Sequence, residues 1–143
     1  MKTFTLEEAE SLLSILESLL RTSIEGKKKI ESLEAAFQEL KSRIFLAGGM
    51  SINLENAARQ RALYDKTVQQ VRDAVAEIHS IGVQVKDLDI GLLDFPCQVD
   101  NEIVLLCWKY GEQGITHYHS LEEGFAGRKP IDERITKNRK DPQ

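Results

Sequence analysis

Between Leu6 and Leu46 apolar residues return every third or fourth position, at Leu6, Ala9, Leu13, Leu16, Leu20, Ile30, Leu33, Phe37, Leu40 and Ile44, and no proline interrupts them. That spacing draws one stripe along a helix. At ~1.5 Å per residue a continuous helix over this span is ~60 Å long. A stripe of that length must be buried against another helix, a sheet or a second chain, so a coiled-coil-like arm is expected. Thr5, with Glu8 three residues on, has the form of a capping box and sets the start. Gly26-Lys27-Lys28-Lys29 breaks the stripe, and these lysines read as a solvated helix face rather than an anion-binding surface.

The Gly pair in Ala47-Gly48-Gly49-Met50-Ser51 ends the first helix in a turn. A second helix follows from about Asn53 to Ser80, with Leu54, Ala58, Ala62, Val68, Val71, Val75 and Ile78 on one side. Two helices joined by a short loop pack antiparallel, making residues 1–81 a helical hairpin. The first helix outruns the second by roughly a dozen residues, and its surplus stripe needs the rest of the chain or a second copy to cover it. A homodimer is the expectation. His79, at the end of the second helix, complements the helix C-terminus.

At Gly82 the period changes from helical to two. Val83, Val85 and Leu88 mark a short strand, and Leu92–Gln98 and Ile103–Tyr110 are two more, joined at Asp100-Asn101 by a tight hairpin turn. That turn places Phe95 opposite Leu106, Leu93 opposite Trp108 and Cys97 opposite Val104. One face, Leu93, Phe95, Cys97, Val104, Leu106 and Trp108, is therefore the core face. A turn at Gly111–Gly114 leads to a third strand, Ile115–Ser120. The fold class is α+β: a long antiparallel helical hairpin (1–81), a small antiparallel β-meander with a Gly-rich loop (82–131), and a polar tail (132–143).

At 143 residues the chain can bury a core without disulfides or a structural metal. No apolar run approaches the ~18 residues of a membrane span, and Glu7, Glu8 and Glu10 stand where a signal peptide needs a basic and then an apolar region. A cytoplasmic protein with no membrane contact is expected. Cys97 and Cys107 match no metal or redox spacing and read as reduced packing residues. The net charge of −4 is unevenly spread. Residues 81–127 contain only Lys86 and Lys109 as bases among many carboxylates, whereas residues 128–143 are basic. An acidic β segment disfavours nucleic acid and favours cations or a basic partner, leaving only the tail from Arg128 to Lys140 as a nucleic-acid contact.

Chemistry-bearing residues concentrate between Lys86 and Pro130. His117 and His119 alternate on a strand and so share a face, ~6.7 Å apart at Cα. With Glu112, or with Asp87, Asp89 or Asp94, they can form a His–carboxylate set for a divalent transition metal such as zinc, iron, nickel or manganese. Against this, a tight turn at Glu112-Gln113 pairs His117 with Trp108 and His119 with Leu106, making both core histidines, and a bulge in that turn reverses them. Both readings stand. Asp87 and Asp89 read as turn residues that bond their own backbone, Asp87 above all. Asp94, inside an apolar run, needs a partner, for which Arg128 is the candidate. Gly124-Phe125-Ala126-Gly127-Arg128-Lys129-Pro130 has the composition of an anion cradle but no Walker pattern; pinned by Phe125 in the core and Arg128 on a carboxylate, it is an ordinary loop. Asp89, Asp94, Trp108 and Arg128 are the candidate binding residues, and His117, His119 and Glu112 the candidate metal ligands.

The motifs KDLDIGLLDFP, LCWKYGE and GFAGRKPI, with the histidine motif between them and the Phe4–Ala9 opening, resemble an uncharacterised prokaryotic family, domain of unknown function 2203. The likeness spans nearly the whole chain. It implies a small cytoplasmic prokaryotic protein and assigns no activity, ligand or residue role. From the residues themselves, the leading reading is a non-enzymatic module that dimerises through its arm and binds a protein partner or ligand through residues 86–130. The rival is a metal-dependent, hydrolase-like enzyme using His117, His119 and nearby carboxylates.

Overall fold

The computed structural model describes residues 2–46 and 54–136, and it has the expected α+β architecture. The turn expected at Ala47–Ser51 lies outside the described residues. Helix α1 (Leu6–Ser11) begins with a complete capping box: the Thr5 hydroxyl accepts from the Glu8 N–H, and the Glu8 carboxylate accepts from the Thr5 N–H. Helix α2 (Leu13–Leu46) follows after Leu12, which keeps a right-handed helical conformation. The long helix of the sequence is thus interrupted by a single residue, and helix α3 (Leu54–Ile81) returns antiparallel to α2.

The two long helices approach closely at Gly26, where an added Cβ would lie 2.4 Å from Val71 Cγ2. Ser23 and Thr67 are buried nearby, and each hydroxyl donates to the carbonyl four residues earlier, Leu19 and Leu63. Small residues therefore shape this contact at no cost in unpaired polar groups. Further out, Phe37 and Tyr64 meet edge to face, with ring centroids 5.8 Å apart. The lysines after Gly26 lie at the surface, with Lys27 paired to Asp89.

Five antiparallel strands follow in sequence order: β1 (Gln84–Asp87), β2 (Leu92–Val99), β3 (Glu102–Lys109), β4 (His117–Ser120) and β5 (Lys129–Pro130). Asp100 takes φ +55° in the two-residue connection, and the β2–β3 register pairs Leu93 with Trp108, Phe95 with Leu106 and Cys97 with Val104, as the hairpin turn requires. Pro96 is accommodated because β1 reaches only to Asp94. Beyond it the outer side of β2 meets the N-terminal segment, and the Phe4 N–H donates to the Pro96 carbonyl at 2.7 Å. N–H and C=O of one strand residue point the same way, so the missing proline N–H removes no bond to β3.

One sheet face joins the helices in a single core containing Ala9, Leu16, Leu20, Ile78, Leu93, Phe95, Leu106 and Trp108, with Phe4 edge-on to Phe95 at 5.8 Å. The surplus stripe of the first helix is therefore covered by the sheet, and that stripe needs no second copy. Part of the segment read as a polar tail also enters this core: Glu133–Thr136 form a short helix, α4, whose Ile135 is fully buried. Among the described residues, the large exposed apolar side chains include Phe45, Leu46 and Leu54 at the far end of the hairpin.

Candidate functional site

The sheet face turned away from the helices is also buried, but it carries polar and potential ligand side chains among its apolar ones. In β2 the residues alternating with Leu93 and Phe95 are Asp94 and Pro96; in β3 those alternating with Leu106 and Trp108 are Leu105 and Cys107. Asp94 and Cys107 are direct cross-strand partners, each 1% exposed. Strand β4 brings His119 beside them, 3% exposed. The register of β4 differs by one residue from that of a tight Glu112-Gln113 turn: His117 faces Cys107 and His119 faces Leu105, while Tyr118 pairs with Leu106 on the core side. The histidines therefore leave the core face. The cause is the connection after β3. Gly111 takes φ +100°, and residues 111–116 form a loop in which the Glu112 N–H donates to the Lys109 carbonyl.

His119 Nδ1 lies 2.8 Å from the Ser120 carbonyl, which can only accept, so Nδ1 carries a proton. Nε2 then faces Asp94 Oδ1 at 3.2 Å. With no other partner for either atom of this contact among the described residues, the two must share a proton, as imidazolium and carboxylate or as imidazole and carboxylic acid. Burial pushes the Asp94 carboxyl up from the usual carboxylate range, and His119 and Lys86 pull it back in part. Cys107 is likewise pushed up to about 11, chiefly by burial and further by Asp94, with Arg128 acting in the opposite sense. A thiol in that state is a poor nucleophile.

One Asp94 oxygen, Cys107 Sγ and one His119 ring nitrogen lie within 4.8 Å of one another. Bonds of about 2.0–2.3 Å would require them to draw in by up to about 1 Å. Oxygen, thiolate and imidazole together suit zinc best, then iron or nickel; manganese prefers oxygen ligands. The Nδ1–H bond to Ser120 is the outer-shell arrangement that fixes a metal-bound imidazole with Nε2 free to ligate.

The other sequence candidates lie around this cluster or away from it. Arg128 does not reach Asp94. Its guanidinium stacks over Phe125 at 4.3 Å, lies beside Cys107 and sits 3.6 Å from Glu112 Oε2. Glu112 is held locally: Oε1 accepts from the Lys109 N–H at 2.7 Å, and its carbonyl accepts from Trp108 Nε1 at 3.0 Å. Trp108 is 2% exposed in the helix-side core, so it has no surface to offer a ligand. His117 is bonded to the Thr116 hydroxyl at 2.8 Å and does not join the converging donors. Asp89 is exposed and paired with Lys27, and its N–H donates to the carboxylate of Asp87, which closes strand β1 rather than lying in the turn. Cys107 was missed by spacing rules. The signal for it was register, since pairing Phe95 with Leu106 puts Asp94 opposite Cys107.

A helical hairpin laid on one face of a five-stranded meander, with buried aspartate, cysteine and histidine donors on the other, defines an α+β protein with a candidate metal centre. The chain belongs to the family described as an uncharacterized conserved protein (DUF2203), whose sequence model matches residues 2–131. No curated protein matches the chain, and neither does any solved structure. Among the described residues no helix is long and apolar enough to cross a membrane.

Proposed function

We propose that the protein is a metal-binding module, with a divalent transition metal, zinc foremost, held by an Asp94 oxygen, Cys107 Sγ and His119 Nε2. The observation that carries this reading is the convergence of three buried donors of different chemistry on one side of a sheet whose other side is pure core. A buried carboxyl is expensive to keep unless something compensates it. A metal ion supplies that compensation once the carboxyl and thiol protons are displaced. The role is non-enzymatic binding on a rigid sheet rather than catalysis by a thiol. A metal that binds the native state alone raises stability by mass action. Thermal unfolding of the chelator-treated full chain with and without added zinc tests this: an upward shift in Tm that vanishes in Cys107→Ser is expected, and equal Tm values with and without each metal would refute it.

Three protein ligands leave a fourth position open, the feature of catalytic rather than closed structural sites. This favours a second reading, metal-assisted hydrolysis with water at that position. We place self-association at the far end of the hairpin, where Phe45, Leu46 and Leu54 are 83%, 79% and 73% exposed. Light scattering of a Phe45→Ser/Leu46→Ser variant against the parent chain tests that contact.

A further inference from the structure

Arg128 is placed unlike an arginine that serves only to pin a loop. Its side chain is three-quarters covered, and one face of the guanidinium is taken by the Phe125 ring. Among the described residues, Nη1 is fully buried without a hydrogen-bond partner. The nearest carboxylate, Glu112, supplies charge at 3.6 Å but no hydrogen bond, because its other oxygen is bound to the Lys109 N–H and the side chain is fixed there. A buried N–H left unmade is costly and needs an explanation. The β4–β5 register, with His117 opposite Pro130 and Tyr118 opposite Lys129, sets Arg128 next in line towards His119, and its guanidinium acts on Cys107 by charge and by side-chain hydrogen bonding, so it borders the cluster itself. Lys86 adds a second positive influence at Asp94.

We infer that the site takes a small oxyanion, a phosphate or carboxylate group, bound jointly by the metal's open position and by the Arg128 guanidinium. This rests on the metal-binding reading and adds its ligand class. Three protein ligands leave a coordination position for an anionic oxygen, and a guanidinium offers parallel N–H donors matched to carboxylate and phosphate oxygens. Asp94 and Cys107, both ionised, neutralise a divalent ion, and the incoming anion is then balanced by Arg128. The Phe125 ring holds the guanidinium in plane without consuming a donor.

The test uses the full chain loaded with Co(II), whose thiolate charge-transfer and d–d bands report ligation directly. Titration with inorganic phosphate, and separately with acetate, should shift the d–d bands saturably, and whichever anion binds more tightly identifies the group. Arg128→Gln should weaken that anion response at least tenfold while leaving the thiolate band in place. Arg128→Lys, which keeps the charge and loses the fork, should fall between. Circular dichroism confirms that each variant is folded, and if Arg128→Gln does not fold, the Arg128→Lys comparison decides alone. Anion affinities equal in the parent and in the folded Arg128 variants, or no spectral response to either anion, would overturn the oxyanion site alone. Absence of a thiolate–cobalt band in the parent chain would overturn the metal reading and this inference with it.

Discussion

Removing the Asp94 carboxyl separates the structural role of the buried pair from its role as a ligand. Asp94 and His119 side chains are 1% and 4% exposed, and with His119 Nδ1 given to Ser120, Nε2 has Asp94 as its one partner among the described residues. Asp94→Ala in metal-free protein orphans that nitrogen, a loss of about 1–3 kcal/mol for an unsatisfied buried group, rising to about 3–5 kcal/mol if the pair is ionised. Asp94→Asn has a different outcome. Its amide N–H can donate to the Nε2 lone pair of a neutral imidazole, so the variant should stay within about 1 kcal/mol of the parent. Urea unfolding at pH 7 in the presence of a chelator measures both. A loss below about 0.5 kcal/mol for Asp94→Ala, or an Asp94→Asn variant as damaged as Asp94→Ala, would refute the shared-proton argument, since either result means that Nε2 does not depend on a hydrogen bond from position 94.

Two glycines test backbone geometry near the site. Gly91 takes φ +68°, and an added Cβ would meet Tyr110 Cβ at 2.4 Å, whereas Gly111 takes φ +100° with open space around it. Gly111→Ala should lose only the conformational cost of about 1–2 kcal/mol; Gly91→Ala should lose clearly more, as read by urea midpoints. Thr5→Ala removes the capping hydroxyl and should lower stability by about 1 kcal/mol in the same assay. Glu123 is held below the ordinary glutamate range by hydrogen bonds from the Ser120 backbone and side chain. A carboxyl depressed in the folded state stabilises above its unfolded value and loses that contribution as pH falls through the folded one. Glu123→Gln should therefore lower Tm at neutral pH, with the difference closing on acidification.

What could be read from the sequence followed from how strongly each piece is constrained. The β2–β3 register was legible because a two-residue connection admits few geometries and because a one-residue slip would turn Leu93, Phe95 and Trp108 out of the core. The capping box was legible because it is local. Strand β4 was not, because the loop through Gly111 and Glu112 is long enough to set either parity, and its course depends on bonds from Lys109 and Trp108 to Glu112 that no periodicity encodes. The partner of Asp94 was misjudged for the same reason: Arg128 is the nearest opposite charge in kind, but β4 delivers His119 first. The cover over the first helix was open in the sequence between a sheet and a second chain. Only the shared core of Leu16, Leu20, Phe95 and Leu106 decides it. Cys107 shows that a residue with no motif around it can still be found from face parity once a register is fixed.

Elemental analysis of the purified, tag-free full chain tests the central claim most directly, made beside His117→Ala, His119→Ala and Cys107→Ser. The account predicts close to one equivalent of zinc, or of iron or nickel, in the parent chain and in His117→Ala, and its loss from folded His119→Ala and Cys107→Ser. Metal absent from the parent even after incubation with each ion, or retained in all three variants, would contradict it.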